Sequence, residues 1–193
     1  MNAETQIKQF KKYCSAVIDF TEEEWQAMEM CLRIKNLPKN EHFLKQGETC
    51  NRMAFVSEGY TRLYFLIEGE ELTKDFCFEN TFTGGFASFL SHNPSAFNVV
   101  AMEETVLLTI EYDALMNLYE NYMCWNTFGR ILVEQFAIRK ENREVTFLLN
   151  SPEKRYHEVE EKHPYIIQRV PLKMIASYLN MTPETLSRIR SKK

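Results

Sequence analysis

The chain has 193 residues, of which 45% are hydrophobic and 26% charged, and its formal net charge is −4 at pH 7. This length predicts two domains, one with a large core and one with a small core. No apolar run reaches membrane-spanning length, and residues 1–20 lack the apolar segment and cleavage site of a signal peptide, so we expect a cytoplasmic protein without a membrane partner. The five cysteines are irregularly spaced and indicate neither a metal site nor a cofactor.

The first half of the chain changes from a helical to a β pattern. The stretch up to Leu37 has helical spacing, with a capping box at Thr21 and Glu24 ahead of Trp25, and Leu37-Pro38-Lys39 is expected to end it. From Glu41 to Tyr112 short β-rich runs alternate with turn residues; the runs are 42–44, 53–56, 61–66, 72–78 and 99–110. Such spacing predicts an antiparallel barrel or jelly roll, a β-roll.

A long helix is predicted from Asp113 to about Leu149. Apolar residues recur there at threes and fours: Leu115, Leu118, Tyr122, Trp125, Phe128, Leu132 and Phe136. This stripe is longer than a β-roll of ~70 residues needs to cover itself, so we expect a homodimer with its interface at or near Trp125, Phe128 and Leu132. The alternative, a helix packed only on its own β-roll, explains the apolar residues of the first two turns well but those from Trp125 onward less well.

Asn150-Ser151-Pro152 predicts the end of this helix and a domain boundary, because the residue before a proline is pushed out of helical conformation. We therefore expect a first domain with its dimerisation helix at 1–150 and a second domain at 151–193. The predicted fold is α+β: N-terminal helices, an antiparallel β-roll, a long dimerisation helix and a C-terminal helix-turn-helix.

The helix-turn-helix is predicted between Val170 and Arg190. Ile175, Ala176 and Leu179 share one face of a first helix, and Leu186 and Ile189 share one face of a second helix. Between them Asn180 is suited to a tight turn, with Met181 expected to be buried. Thr182-Pro183-Glu184 then begins the second helix with a capping hydroxyl, a proline at the first position and an acid in the first turn.

The outward face of the second helix favours DNA binding over simple packing. Residues 169–193 contain six Lys or Arg and one acid, Glu184, in a chain that is acidic as a whole. Thr182 is expected to cap the helix and to bond a phosphate, and Glu184 to accept from a cytosine amino group. The remaining expected contacts are Thr185 on a thymine methyl or a phosphate, Arg188 on the O6 and N7 of a guanine, Ser187 beside it on the same face, and Arg190, Lys192 and Lys193 on the DNA backbone.

The order helix, β-roll, long helix, helix-turn-helix resembles that of the Crp/Fnr transcription regulators, over almost the whole chain. The most specific matching segments are Ser151–Tyr156, Gln168–Leu172, Ile175–Leu179 and Met181–Arg190. The resemblance implies a regulator that binds double-stranded DNA, works with RNA polymerase, and has a cyclic-nucleotide-binding-type β-roll that senses an effector.

The chain departs from that family at the phosphate-binding cassette. Members that bind cyclic AMP carry a Gly-Glu pair followed about ten residues later by Arg-Ser or Arg-Thr, whereas here Gly85 stands in place of the Glu, and Ser95 or Ala96 in place of the Arg. A buried cyclic phosphate needs a compensating cation or many donors. We therefore expect that cyclic AMP is not the effector. An unknown uncharged or aromatic effector would lie against a pocket formed by Phe82, Gly84, Gly85, Phe86, Ser95, Ala96 and Phe97, although most of the phenylalanines are better explained as ordinary core.

An enzyme is not expected, because the sequence has no nucleophile elbow, phosphate loop or metal-binding catalytic motif, and no residue is assigned a catalytic role. The alternative function is a small-molecule-binding or protein-interaction β-roll whose helix-turn-helix is non-functional. The cap of the second helix, Arg188 and the basic tail argue against that alternative.

Overall fold

The computed structural model describes residues 3–191. The chain forms two compact units, and the boundary between them falls after Leu132. The first unit begins with α1 (Ala3–Ser15) and α2 (Glu22–Cys31). The predicted capping box of α2 is confirmed: the Glu24 amide donates to the Thr21 hydroxyl at 3.2 Å, and the Thr21 amide donates to the Glu24 carboxylate at 2.7 Å. No helix among the described residues is long and apolar enough to cross a membrane.

Eight strands follow, and they form two antiparallel four-stranded sheets. The strands are β1 (Arg33–Leu37), β2 (His42–Leu44), β3 (Arg52–Glu58), β4 (Thr61–Ile67), β5 (Glu70–Cys77), β6 (Phe82–Thr83), β7 (Asn98–Ala101) and β8 (Thr105–Glu111), with α3 (Phe86–Ser91) before β7. One sheet has the order β1-β8-β3-β6 and the other β2-β7-β4-β5. The predicted antiparallel β-roll is confirmed. The helical prediction up to Leu37 is wrong for Arg33–Leu37, because these residues complete a sheet edge by pairing with β8.

Period-two alternation in β3 and β8 separates two cores. Ala54, Val56 and Leu107 lie between the sheets, among apolar side chains from both. Their neighbours Phe55 and Leu108 point to the other side of the sheet, where α1, α2 and the later helices cover them. The first unit is therefore held by one core inside the β-roll and a second core between a sheet and its helices.

The long helical region is two helices. After α4 (Tyr112–Asn121) the backbone leaves helical conformation at Tyr122, with φ −135° and ψ 105°, and α5 (Met123–Leu149) begins directly afterwards. The single helix predicted from Asp113 is thus interrupted. The 27 residues of α5 span about 40 Å at 1.5 Å per residue.

The second unit contains the C-terminal half of α5 and four short helices: α6 (Pro152–Lys162), α7 (Pro164–Arg169), α8 (Leu172–Tyr178) and α9 (Pro183–Ser191). Ser151 caps α6, accepting from the Lys154 amide at 3.3 Å. The boundary between the two compact units falls after Leu132, within α5, so this helix contributes residues to both units. The functional division after Asn150 stays a prediction.

Candidate functional site

The pair α8 and α9 has the internal packing that the sequence predicts for a helix-turn-helix. Ile175 and Ala176 are fully buried, and Leu179, Leu186 and Ile189 are buried with them. Asn180 has φ 52°, which is the left-handed conformation expected at the turn. Met181 is half-buried, so its predicted full burial is wrong: its amide donates to the Ala176 carbonyl at 3.0 Å, and the side chain stays partly open to solvent.

Thr182 caps α9 as predicted. Its hydroxyl accepts from the Thr185 amide at 3.2 Å, and its carbonyl accepts from the Leu186 amide at 3.0 Å. The backbone N–H of Glu184 and the Thr182 hydroxyl lower the pKa of the exposed Glu184 carboxyl. Glu184 is therefore a carboxylate at neutral pH and can only accept hydrogen bonds.

A shallow surface groove runs along the outward face of α9. Its lining residues recur at three- and four-residue spacing: Pro183, Glu184, Ser187, Arg188 and Ser191. Arg188 is exposed, and no side chain among residues 3–191 bonds its guanidinium. An exposed arginine, a carboxylate and a hydroxyl thus share one helix face, which is the donor and acceptor set that reads base edges.

The basic residues beyond Arg188 differ in their surroundings. Arg190 is exposed, but its guanidinium lies against the Tyr156 hydroxyl on α6. Burial raises the pKa of Tyr156, and the positive charge of Arg190 opposes that rise. A backbone contact by Arg190 would therefore compete with this intramolecular contact. Lys192 and Lys193 lie outside the described residues.

The segment that corresponds to the phosphate-binding cassette is closed by its own hydrogen bonds. The Gly85 amide donates to Cys50 Sγ at 3.2 Å, and the Ser95 hydroxyl donates to the Phe97 carbonyl at 2.8 Å. Ser88 accepts from the Cys50 amide at 2.9 Å and donates to the Asn93 carbonyl. The Gly85 amide and the Ser88 and Ser95 hydroxyls are thus already used inside the β-roll.

Gly85 is also closely packed, so a larger residue there would require its neighbours to shift. A Cβ atom at this position would lie 2.7 Å from Leu44 Cδ2 and 3.2 Å from the Cβ of Cys50. These neighbours belong to the core between the sheets. A carboxylate side chain at this position would therefore have to displace the Leu44 side chain.

The predicted effector-pocket residues fall into separate environments. Gly84, Gly85 and Ser95 are buried near one another, and Phe97 packs on the core between the sheets. Phe82 instead packs on the helix side of its sheet, with ring centroids 5.5 Å from Phe55 and 6.3 Å from Phe10. Phe82 and Phe97 therefore do not line one cavity. The two remaining predicted residues are Phe86, which is half-buried, and Ala96, which is exposed.

The predicted dimer residues also have intramolecular partners. Trp125 is fully buried, its Nε1 donates to the Glu24 carbonyl at 2.9 Å, and Phe20 stacks on it at 5.3 Å. Phe128 is buried in the same core, and Leu132 is half-buried beside it. The helical region thus packs on its own unit beyond the first two turns, as the alternative of a helix packed on its own β-roll requires. A dimer contact at these three residues stays a prediction.

A different apolar stripe on α5 is exposed, and the sequence reading missed it. Ile138, Val145 and Leu149 are spaced by seven and four residues and are 59%, 47% and 78% exposed. Leu148 beside them is 75% exposed. This spacing places the side chains on one helix face, as in the seam of a coiled coil.

Among residues 3–191 no group of three His, Cys, Asp or Glu side chains is arranged to hold a metal ion. The protein-family model described as the cyclic nucleotide-binding domain matches residues 34–122. Residues 34–122 are thus similar to this domain family. A search of curated protein sequences finds no match to the chain.

Solved structures are similar to this chain beyond residues 34–122. FixK2 from Bradyrhizobium japonicum is 16% identical, with 83% of each chain covered and a TM-score of 0.69. A protein from Eubacterium rectale described as a Crp/Fnr-family regulator is 15% identical, with 90% of this chain and 83% of that chain covered and a TM-score of 0.68. CLP from Xanthomonas campestris, described as a c-di-GMP-responsive global regulator, is 15% identical over 89% and 91% of the chains, with a TM-score of 0.67. The chain has the fold of these transcription regulators.

Proposed function

We propose that this protein is a homodimeric transcription regulator of the Crp/Fnr type that binds double-stranded DNA through α9. The observation that carries the proposal is the outward face of α9, on which the exposed Arg188 and the ionised Glu184 line one groove. The buried face of α9 and the Thr182 cap hold that surface in a fixed orientation on α8. Such a helix can enter the major groove and present its side chains to base edges.

The division of work within α9 is testable by two substitutions. Arg188→Ala is expected to cost about 1–3 kcal/mol on the preferred site and to relax the choice of base at one position, because a bidentate contact to guanine is lost. Lys192→Ala is expected to weaken binding to all sequences alike and to lower the salt slope by about one unit, because a phosphate contact is lost. Selection of bound sequences from a random pool at two salt concentrations measures both effects.

Ser191→Ala is a suitable control, since Ser191 lines the same groove but bonds only the Arg188 carbonyl of its own helix. If Arg188→Ala selects the parent's sequences with the parent's preference at every position, Arg188 does not read a base. If the unaltered protein retains no DNA at all, the β-roll module with a non-functional helix-turn-helix becomes the better explanation.

The dimer of this proposal pairs α5 with its copy through Ile138, Val145 and Leu149. A two-fold pair of recognition helices reads two half-sites about one turn of DNA apart, ~34 Å. The exposed stripe supports this pairing because an apolar seam of this kind is normally covered in a soluble protein.

The effector is expected to be neither cyclic AMP nor cyclic GMP held in the usual way. Gly85 supplies no carboxylate for the ribose, its amide is bonded to Cys50, and no Lys or Arg occurs between Asp75 and Asn126 to meet the phosphate. Isothermal titration calorimetry should detect no binding of either nucleotide at micromolar concentrations. Binding at micromolar or tighter affinity would show that the cassette opens and that other donors replace the missing ones.

A further inference from the structure

The C-terminal half of α5 has a second face, opposite to the exposed apolar stripe. Arg143, Thr146 and Phe147, with Asn150 directly after the helix, are spaced by three, one and three residues and are all half-buried. This spacing places them on one side of the helix. They belong to the same compact unit as α6, α8 and α9. This face therefore packs within the unit that contains the helix-turn-helix.

Arg143 is the residue of this face that contacts the first helix of the helix-turn-helix. Its guanidinium carbon lies 4.0 Å from the centroid of the Tyr178 ring and 4.6 Å from that of the Phe147 ring. Its Nη2 donates to the Tyr178 carbonyl at 3.1 Å. One side chain thus makes two ring contacts and a hydrogen bond, and two of these three interactions are with Tyr178.

Tyr178 is the last residue of α8, so its position determines where the turn begins. The last carbonyls of a helix have no partner within it and carry the negative end of the helix dipole. A guanidinium that bonds one of them satisfies the carbonyl and complements the dipole. Arg143 therefore caps the C-terminal end of α8 from a neighbouring helix.

Phe147 extends the same arrangement to α6. The guanidinium carbon of Arg155 lies 5.0 Å from the centroid of the Phe147 ring, and Arg155 is only 7% exposed. Its Nε has no hydrogen-bond partner among residues 3–191. Burial lowers the pKa of Arg155. Two guanidinium groups thus contact the ring of Phe147. The helices α5, α6 and α8 are connected by four residues, which we call the arginine–aromatic joint: Arg143, Phe147, Arg155 and Tyr178.

We propose that Arg143 is a positioning residue for DNA recognition, which fixes the end of α8, and with it the turn into α9, on α5. The proposal rests on the proposed function, since positioning matters only if α9 reads DNA. Only four residues, Leu179–Thr182, separate Tyr178 from the start of α9. A shift of the Tyr178 carbonyl therefore moves the first turn of α9, where Glu184 and Thr185 lie.

Arginine is required at this position, because a planar guanidinium can stack on a ring and donate in its own plane at the same time. A lysine ammonium keeps the charge but cannot make both kinds of contact with the same geometry. Arg143→Lys is thus the informative substitution. Tyr178→Leu removes the ring from the other side, and Tyr178→Phe is the matched control because it keeps both the ring and the backbone carbonyl.

The first measurement compares affinity for the preferred site with affinity for random DNA, using the full chain and a salt series. Arg143→Lys and Tyr178→Leu should each lower this ratio about tenfold without changing the salt slope, whereas Tyr178→Phe should leave it unchanged. The double variant Arg143→Lys/Tyr178→Leu should lose less than the sum of the two single losses, since both substitutions remove the contact between the guanidinium and the Tyr178 ring. Additive losses, or a ratio equal to the parent's, would overturn the proposal. A uniform loss with a lower salt slope would instead make Arg143 a phosphate contact.

The second measurement needs no DNA, and so it separates this proposal from the proposed function. Amide hydrogen exchange should accelerate in residues 179–186 of Arg143→Lys and Tyr178→Leu, while exchange in the β-roll stays at the parent's rate. Unchanged exchange in residues 179–186 would contradict a positioning role whether or not the chain binds DNA. If residues 179–186 exchange faster in the variants but the parent binds no DNA, the positioning role of the arginine–aromatic joint stands and the proposed function is wrong.

Discussion

Trp125→Ala is expected to unfold the first unit under conditions in which the parent is folded. Trp125 is fully buried, stacks on Phe20 and donates to the Glu24 carbonyl, so truncation removes a large buried ring and orphans an acceptor. Truncation of a buried tryptophan costs about 3–5 kcal/mol, which is a large part of the stability of a typical domain, about 5–15 kcal/mol. Urea denaturation followed by circular dichroism would show the loss as a lower midpoint.

Met123→Ala is the matched control, because Met123 lies two residues away and is 77% exposed. Its midpoint should stay close to that of the parent. If Trp125→Ala kept the parent's midpoint and instead changed a dimer into a monomer, Trp125 would lie at the interface that the sequence predicts and the packing described above would be wrong.

Val145→Glu is expected to dissociate the proposed dimer. It should also weaken binding to DNA with two half-sites by roughly 10²-fold or more, because the second recognition helix is then no longer held near its half-site at a high effective concentration. Val145 is in the middle of the exposed stripe, and a charge there would be buried without a partner between two copies of α5. Analytical ultracentrifugation at micromolar concentration measures the association, and fluorescence anisotropy measures the DNA affinity.

Glu144→Gln is the control for this prediction. Glu144 is exposed on α5 directly before Val145 but lies off the stripe, so the dimer should persist. A Val145→Glu protein that sediments as the parent does would exclude this stripe as the interface. A parent protein that is monomeric at micromolar concentration, with and without DNA, would contradict the dimer itself.

Local signals allowed the helix-turn-helix to be predicted closely. Asn180 and Thr182 act through their own backbone geometry and hydrogen bonds, which depend on a few neighbouring residues. The buried faces of α8 and α9 follow from a three- and four-residue spacing that tertiary packing did not alter. The β-roll was predictable for the same reason, because its turns and alternating strands are local patterns.

The exposed apolar stripe of α5 was not predictable from periodicity. Trp125 and Phe128 are large aromatic residues that dominate the pattern, yet they fill the core of their own unit. The exposed stripe consists of smaller aliphatic residues at wider spacing and is recognisable only once the other face is known to be covered. The closed cassette depends in the same way on contacts between distant residues, such as the bond from the Gly85 amide to Cys50 Sγ.

The most direct test of the account is a selection of DNA fragments from a random pool by the 193-residue chain, followed by sequencing of the bound fraction. The account predicts enrichment of a two-fold symmetric sequence with half-sites about one helical turn apart, about 10 base pairs, and loss of one preferred base in each half-site with Arg188→Ala. A bound fraction with the same composition as the starting pool would contradict it.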